Sequence, residues 1–217
     1  DDVTYLKTEV KDILLVPPLE VSRARKEASV DEVISTAKYT DGDSRDDREK
    51  QIELTKKFLK DQGIDKLAVP EDFSLGIADE LRKEIELSPV SDFIIEKRKI
   101  KREEELEKLR ESQRVTEKAM QQVRKIIDSS DSDGDKLNYE GEVLTSERLR
   151  KEIKHFLEEQ GCDVPEKSIV ASGREGADPH NIGKGQIKAR EPIIIDIFPE
   201  KSDYFGDMTR TFVKGEA

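Results

Sequence analysis

The sequence predicts an α/β domain over residues 1–96 followed by an α+β domain over residues 97–217. Three observations carry this reading. Short apolar runs alternate with helix-period segments through the first hundred residues, the signature of an α/β layer with a largely parallel sheet. A long charged helical pattern then opens a second region at residues 97–128. From Ser168 onward the pattern turns to strands separated by polar turns.

In the first region, residues 12–16 read as a buried strand stopped by Pro17-Pro18. Residues 47–62 read as a helix with Ile52, Phe58 and Leu59 on one side and Gly63 as its stop. Residues 66–69 form a short strand ended by Pro70, residues 75–85 a second helix, and residues 91–95 a further strand. In the long helix, Ile100, Leu106, Leu109, Val115, Ala119, Val123 and Ile126 make an apolar stripe among Glu, Lys and Arg. Its broken heptads and mixed charges indicate an amphipathic helix with a solvated face, not a coiled coil.

Asp131, Asp133, Asp135 and Glu142 match positions one, three, five and twelve of a calcium loop, but Lys136 stands where the turn needs glycine. An acidic surface loop is the better reading. Thr145 or Ser146 caps a helix running to about Gln160, with Leu149, Ile153, Phe156 and Leu157 on its buried side and Gly161 at its end. His155, in its middle, has no second ligand at the turn spacing. Strands follow at residues 168–171, 192–196 and 205–213.

The 39 basic and 50 acidic side chains give a net charge of −11, which excludes a general nucleic-acid binder. No apolar stretch approaches the roughly 18 residues of a membrane span, and no signal-peptide pattern opens the chain. The single Cys162 cannot form an internal disulfide and reads as a small buried apolar residue, so a soluble cytoplasmic protein is expected. Asn occurs only at Asn138 and Asn181 amid abundant Lys and Glu, which fits a thermophilic source. The chain opens at Asp1-Asp2 without methionine and stops just after a strand-like run, so it reads as truncated.

The chemistry is concentrated in residues 193–212, where two strand-like runs flank a polar turn and predict an antiparallel hairpin. With the turn centred between Lys201 and Ser202, Asp196 stands directly opposite Asp207, Cβ atoms about 4.5–5.5 Å apart. Like charges so close need a shared proton, a neighbouring cation or a metal. Arg210 points to the other face, which leaves the proton or the metal. Paired hard oxygen ligands suit divalent manganese, cobalt, zinc or magnesium and can bridge two ions. A register slipped by one residue would instead separate the acids into solvent, and spacing alone does not choose. His180, in a Pro/Gly-framed loop upstream, is placed to reach the acids' face and favours a site.

The ordered set Pro179-His180, Ile195-Asp196 and Gly206-Asp207-Met208-Thr209-Arg210-Thr211-Phe212 with Gly215 resembles the first half of the pita-bread metallopeptidase family, M24. Arg98-Lys99-Ile100-Lys101, Glu103-Glu104 and Ala119-Met120 resemble the entry to its catalytic domain. The preceding α/β layer is similar to the creatinase/prolidase-type N-terminal domain of its Xaa-Pro aminopeptidase and prolidase branch, which methionine aminopeptidases lack. The resemblance implies a partial pita-bread domain in residues 97–217 and peptide-bond hydrolysis by water activated at a dinuclear centre of manganese, cobalt or zinc. Asp196 and Asp207 are then metal ligands, and His180 is the catalytic residue that contacts substrate and steadies the tetrahedral intermediate.

The family's other ligands, one His and two Glu, are expected beyond Ala217, so these residues alone are expected to be inactive. The implied substrates are peptides with proline second, cleaved before that proline, or Xaa-Pro dipeptides. Dimers are common in this branch, and a homodimer is expected on that ground. Phe198 and Pro199 depart from the family, which often has glycine two residues after the first aspartate. A non-catalytic pita-bread binding module and a creatinase-like hydrolase of a small non-peptide are the alternatives. Retention of both aspartates argues against each.

Overall fold

The computed structural model describes residues 3–40, 47–91, 93–164 and 167–216, so the terminal Asp1-Asp2 and Ala217 lie outside the described residues. The chain divides into two units, Asp1–Lys99 and Ile100–Ala217. In the first, β1 (Thr4–Lys7) pairs antiparallel with β2 (Asp12–Val16), setting Leu6 against Ile13. The connection is a tight turn, too short for a parallel crossover. It is closed by the Thr8 hydroxyl, which accepts the Lys11 N–H at 3.0 Å. Helix α1 (Val21–Glu27) supplies the crossover that brings β3 (Glu32–Ser35) back parallel to β2.

Helix α2 (Asp47–Asp61), β4 (Lys66–Pro70), α3 (Leu75–Leu81) and β5 (Glu86–Val90) follow, β4 and β5 pairing in parallel. Helix α4 (Phe93–Lys99) ends the unit. Leu6, Ile13, Leu15, Ile34, Tyr39, Phe58, Leu59 and Leu81 form its core. The largely parallel sheet expected here is, among the described residues, a mixed β1-β2-β3 sheet and a separate β4-β5 pair. The strand expected at 91–95 lies earlier, at Glu86–Val90, with a helix after it; Asp92, inside the expected strand, lies outside the described residues. Pro89 disguised it, because proline is excluded only where a strand is paired on both sides.

The second unit is organised by α5 (Glu103–Ser129), a 27-residue helix. Its start is fixed by the Arg102 N–H, which donates to Glu105 Oε2 at 2.8 Å. Ile100 precedes the helix and is 82% exposed, so it does not belong to the apolar stripe. Val115, Ala119, Met120, Val123, Ile126 and Ile127 do. β6 (Asp131–Asp133), β7 (Lys136–Tyr139) and β8 (Glu142–Val143) form an antiparallel meander. The acidic segment is therefore a hairpin turned at Gly134 (φ 64°), neither an irregular loop nor a calcium loop.

Helix α6 (Ser146–Glu159) is capped by Thr145, whose Oγ1 accepts the Arg148 N–H at 3.1 Å. Next come β9 (Ile169–Ser172), β10 (Ile193–Ile197), β11 (Glu200–Lys201), β12 (Tyr204–Phe205) and β13 (Met208–Phe212). β10 lies between β9 and β13, antiparallel to both. Val170, Ile193, Ile195 and Ile197 join the α5 and α6 side chains in one core. Cys162 is buried there, and burial pushes its thiol pKa up. Among the described residues no helix is long and apolar enough to cross a membrane.

Candidate metal centre

One register runs the length of the hairpin: Ile193 faces Phe212, Ile197 faces Met208, and Lys201 faces Tyr204. The turn residues are Ser202 and Asp203, with φ of 55° and 66°, as a two-residue primed turn requires. The turn thus sits one residue later than expected, and Asp196 faces Thr209 instead of Asp207. The partner strand has shifted by two residues, which preserves the face, whereas a shift of one would reverse it. Asp196 and Asp207 therefore share a face as diagonal neighbours, positions about 7–8 Å apart in a regular ladder. The same register sets Phe198 across from Asp207. The ladder is interrupted there because Pro199 has no N–H; the Gly206 N–H still donates to the Pro199 carbonyl at 2.9 Å.

The two faces differ sharply. Ile193, Ile195 and Ile197 are fully buried, while on the other face Asp196 is half-buried and Asp207 and Thr209 are exposed. Thr209 Oγ1 donates to Asp196 Oδ1 at 2.7 Å. Arg210 faces Ile195 and lies on the core side, beside Glu117, Met120 and Arg124 of α5, so it does not neutralise the acids.

Helix α5 fixes where Asp207 lies. A Cβ on Gly206 would come 2.1 Å from Thr116 Oγ1 and 2.8 Å from the Ser112 carbonyl, so only glycine lets the hairpin approach this closely. Gln113 Oε1 accepts the Asp207 N–H at 3.3 Å, and Gln113 Nε2 donates to the Asp207 carbonyl at 3.4 Å. Nearer the tip, the Tyr204 hydroxyl donates to Glu105 Oε1 at 3.1 Å. The Arg102 N–H, and after it this hydroxyl, hold the Glu105 carboxyl below its ordinary pKa. Lys201 donates to the Gln160 carbonyl at the end of α6 at 2.5 Å. Thr209 was accessible to sequence reasoning, since strand alternation puts it on the face of Asp207. Gln113 was not, lying 94 residues from the aspartate it touches.

His180 is exposed, on the loop between β9 and β10. Its N–H donates to Asp178 Oδ1 at 3.1 Å. The loop returns onto β9, where the Ile182 carbonyl accepts the Val170 N–H at 3.1 Å. Gly183 (φ 76°) has no room for a Cβ, which would fall 1.7 Å from the Val170 carbonyl. Arg150 of α6 donates to the carbonyls of Ile182 and Gly183 at 2.5 and 2.9 Å. The structure thus brings Asp196 and Asp207 to one face and joins the loop of His180 to the same sheet. Among the described residues no three His, Cys, Asp or Glu side chains gather as a ligand set. What the face offers is two carboxylates, one oriented by a hydroxyl donor, and that donor set fits hard divalent cations.

A family model described as metallopeptidase family M24 matches residues 107–217, which include His180, Asp196 and Asp207. The chain belongs to this family. An uncharacterized peptidase of Methanocaldococcus jannaschii is 29% identical over 146 residues, 67% of this chain and 38% of the relative. Among solved structures, the X-Pro aminopeptidase of Thermotoga maritima matches 99% of the chain and 56% of its own, with TM-score 0.72 and 22% identity. The Xaa-Pro dipeptidase of Bacillus anthracis matches 100% and 56%, with TM-score 0.75 and 19% identity. The prolidase of Pyrococcus horikoshii matches 98% and 54%, with TM-score 0.69 and 23% identity. This M24 chain therefore shares their fold, an α/β unit followed by part of the pita-bread domain, and spans about half of each solved chain.

Proposed function

We propose that the protein containing this chain is a metal-dependent peptidase that removes an N-terminal residue before proline or splits Xaa-Pro dipeptides at a dinuclear centre. The observation that carries the reading is the placement of Asp196 and Asp207 on one open face of a hairpin inside the M24 match. The likeness of both units to enzymes named for Xaa-Pro substrates supports the proline-directed branch.

In this reading Asp196 and Asp207 hold divalent ions, and manganese, cobalt and zinc are the candidates. When bound, such ions polarise the scissile carbonyl and make water a nucleophile near neutral pH. Thr209 keeps one oxygen of Asp196 turned across the ladder, so the carboxylate meets the cation with its direction already set. His180, exposed on a loop fastened to β9, donates a hydrogen bond to the substrate and steadies the oxyanion as the carbonyl is attacked. Phe198, across from Asp207, presents an apolar wall beside the pair.

The test is hydrolysis of an Xaa-Pro dipeptide by the longest product of the source gene with added manganese or cobalt, against Asp207→Asn. Activity should fall by at least a hundredfold in the variant, on the order of one lost ligand. Equal activity in the two proteins removes the metal role from Asp207.

A further inference from the structure

We propose that Gln113 is a positioning residue for Asp207, holding its backbone N–H and its carbonyl together so that the carboxylate is held in one direction toward a cation. The inference rests on the reading of Asp207 as a metal ligand. Asp207 lies just outside β13, at the interruption caused by Pro199, where the ladder does not constrain it. In the register of the hairpin it occupies a pair whose N–H and carbonyl point away from β10, toward the open edge. Among the described residues Gln113 is what meets both groups, accepting from the N–H at 3.3 Å and donating to the carbonyl at 3.4 Å.

A primary amide can do this because it presents one acceptor and one donor side by side, which is also what an adjacent strand presents. Gln113 therefore acts as a one-residue substitute for a neighbouring strand. Its base is rigid: Ser112, Val115 and Thr116 on either side of it are buried. Gly206, the residue before Asp207, lies so near the Ser112 carbonyl that a Cβ would not fit, which holds the hairpin against the helix there. Two independent contacts from one turn of α5 thus locate the backbone of a single candidate ligand.

The experiment uses the 15N-labelled 217-residue chain titrated with Mn2+, reading paramagnetic broadening of the Asp196 and Asp207 amide resonances. The variants are Gln113→Met, of similar length without donor or acceptor, and Gln113→Asn, which withdraws the amide by one methylene. Gln122→Met, at an exposed position of the same helix, is the control, and Asp207→Asn tests the site. Both Gln113 variants should weaken Mn2+ about tenfold, the low end for groups that orient a ligand. They should also lose broadening at Asp207 more than at Asp196 and speed hydrogen exchange of the Asp207 amide, with Gln122→Met unchanged.

Unaltered affinity and unaltered broadening in folded Gln113 variants overturn the proposal while leaving the metal site standing. Broadening that is absent from both aspartates, or that survives Asp207→Asn, overturns the metal site and the proposal with it.

Discussion

Thr209 donates its hydroxyl hydrogen to Oδ1 of Asp196 across the β10–β13 ladder, at 2.7 Å. The hairpin sets these two residues directly opposite each other, in a pair whose side chains approach closely. The bond takes up one lone pair of the carboxylate and leaves the others for a cation. Thr209→Val keeps the shape and removes the donor, so Mn2+ affinity should drop about tenfold while Thr209→Ser stays near wild type. Calorimetry or Mn2+ relaxation on the three proteins checks this; equal affinity in the valine variant would show that the hydroxyl does not orient Asp196.

Gly206→Ala forces a methyl group against the backbone of Ser112, which cannot yield as a side-chain tip would. The expected cost is about 1–3 kcal/mol, the usual range for overpacking, seen as a lower urea midpoint with unchanged slope. Stability equal to wild type would mean that the hairpin does not press on α5 this closely.

Arg150 ties the loop of His180 to α6 through two carbonyls, those of Ile182 and Gly183. Arg150→Met should free the loop, costing roughly 1.5–3 kcal/mol for hydrogen bonds made by a charged donor. Hydrogen exchange should accelerate in residues 178–185 and at the Val170 amide. Unchanged protection there would place the loop's hold elsewhere, on Gly183 and its packing against β9.

Glu147 receives the Gly185 N–H on both carboxylate oxygens, at 3.0 Å each. That backbone donor is the main reason its pKa is lowered in the folded chain. A carboxyl with a lowered folded pKa contributes stability that is complete above its unfolded pKa and is lost as pH falls through the folded value. Glu147→Gln should therefore lower Tm at pH 7. The gap should persist down to about pH 5 and close as the pH drops below about 4, since free glutamate titrates near 4.3. A gap independent of pH would assign the effect to shape instead of charge.

Much of the architecture follows from patterns that need no third dimension. The β-branched apolar run Ile193-Ile194-Ile195 ahead of Asp196 marks β10 as a strand. Thr145 and Gly161 bound α6 because one is a side-chain acceptor and the other tolerates positive φ. The pattern misled where a local rule had an exemption. Pro89 conceals β5, which an edge position allows, and Ile100 continues the apolar spacing of a helix that Arg102 and Glu105 start only at Glu103.

The aspartate pair divides along the same line. Parity fixes the face of each residue within its own strand, but whether Asp196 and Asp207 share a face depends on the register, since a slip of one residue would put them on opposite faces. Their diagonal relation did not follow from parity, because the register depends on Ser202 and Asp203 both adopting positive φ. Neither residue is obliged to do so. The contacts of Gln113 with Asp207 and of Gly206 with Ser112 arise only when α5 packs against the hairpin. Periodicity acts between near neighbours, whereas the aim of a carboxylate is set by whichever distant backbone and side-chain groups packing brings within hydrogen-bond reach.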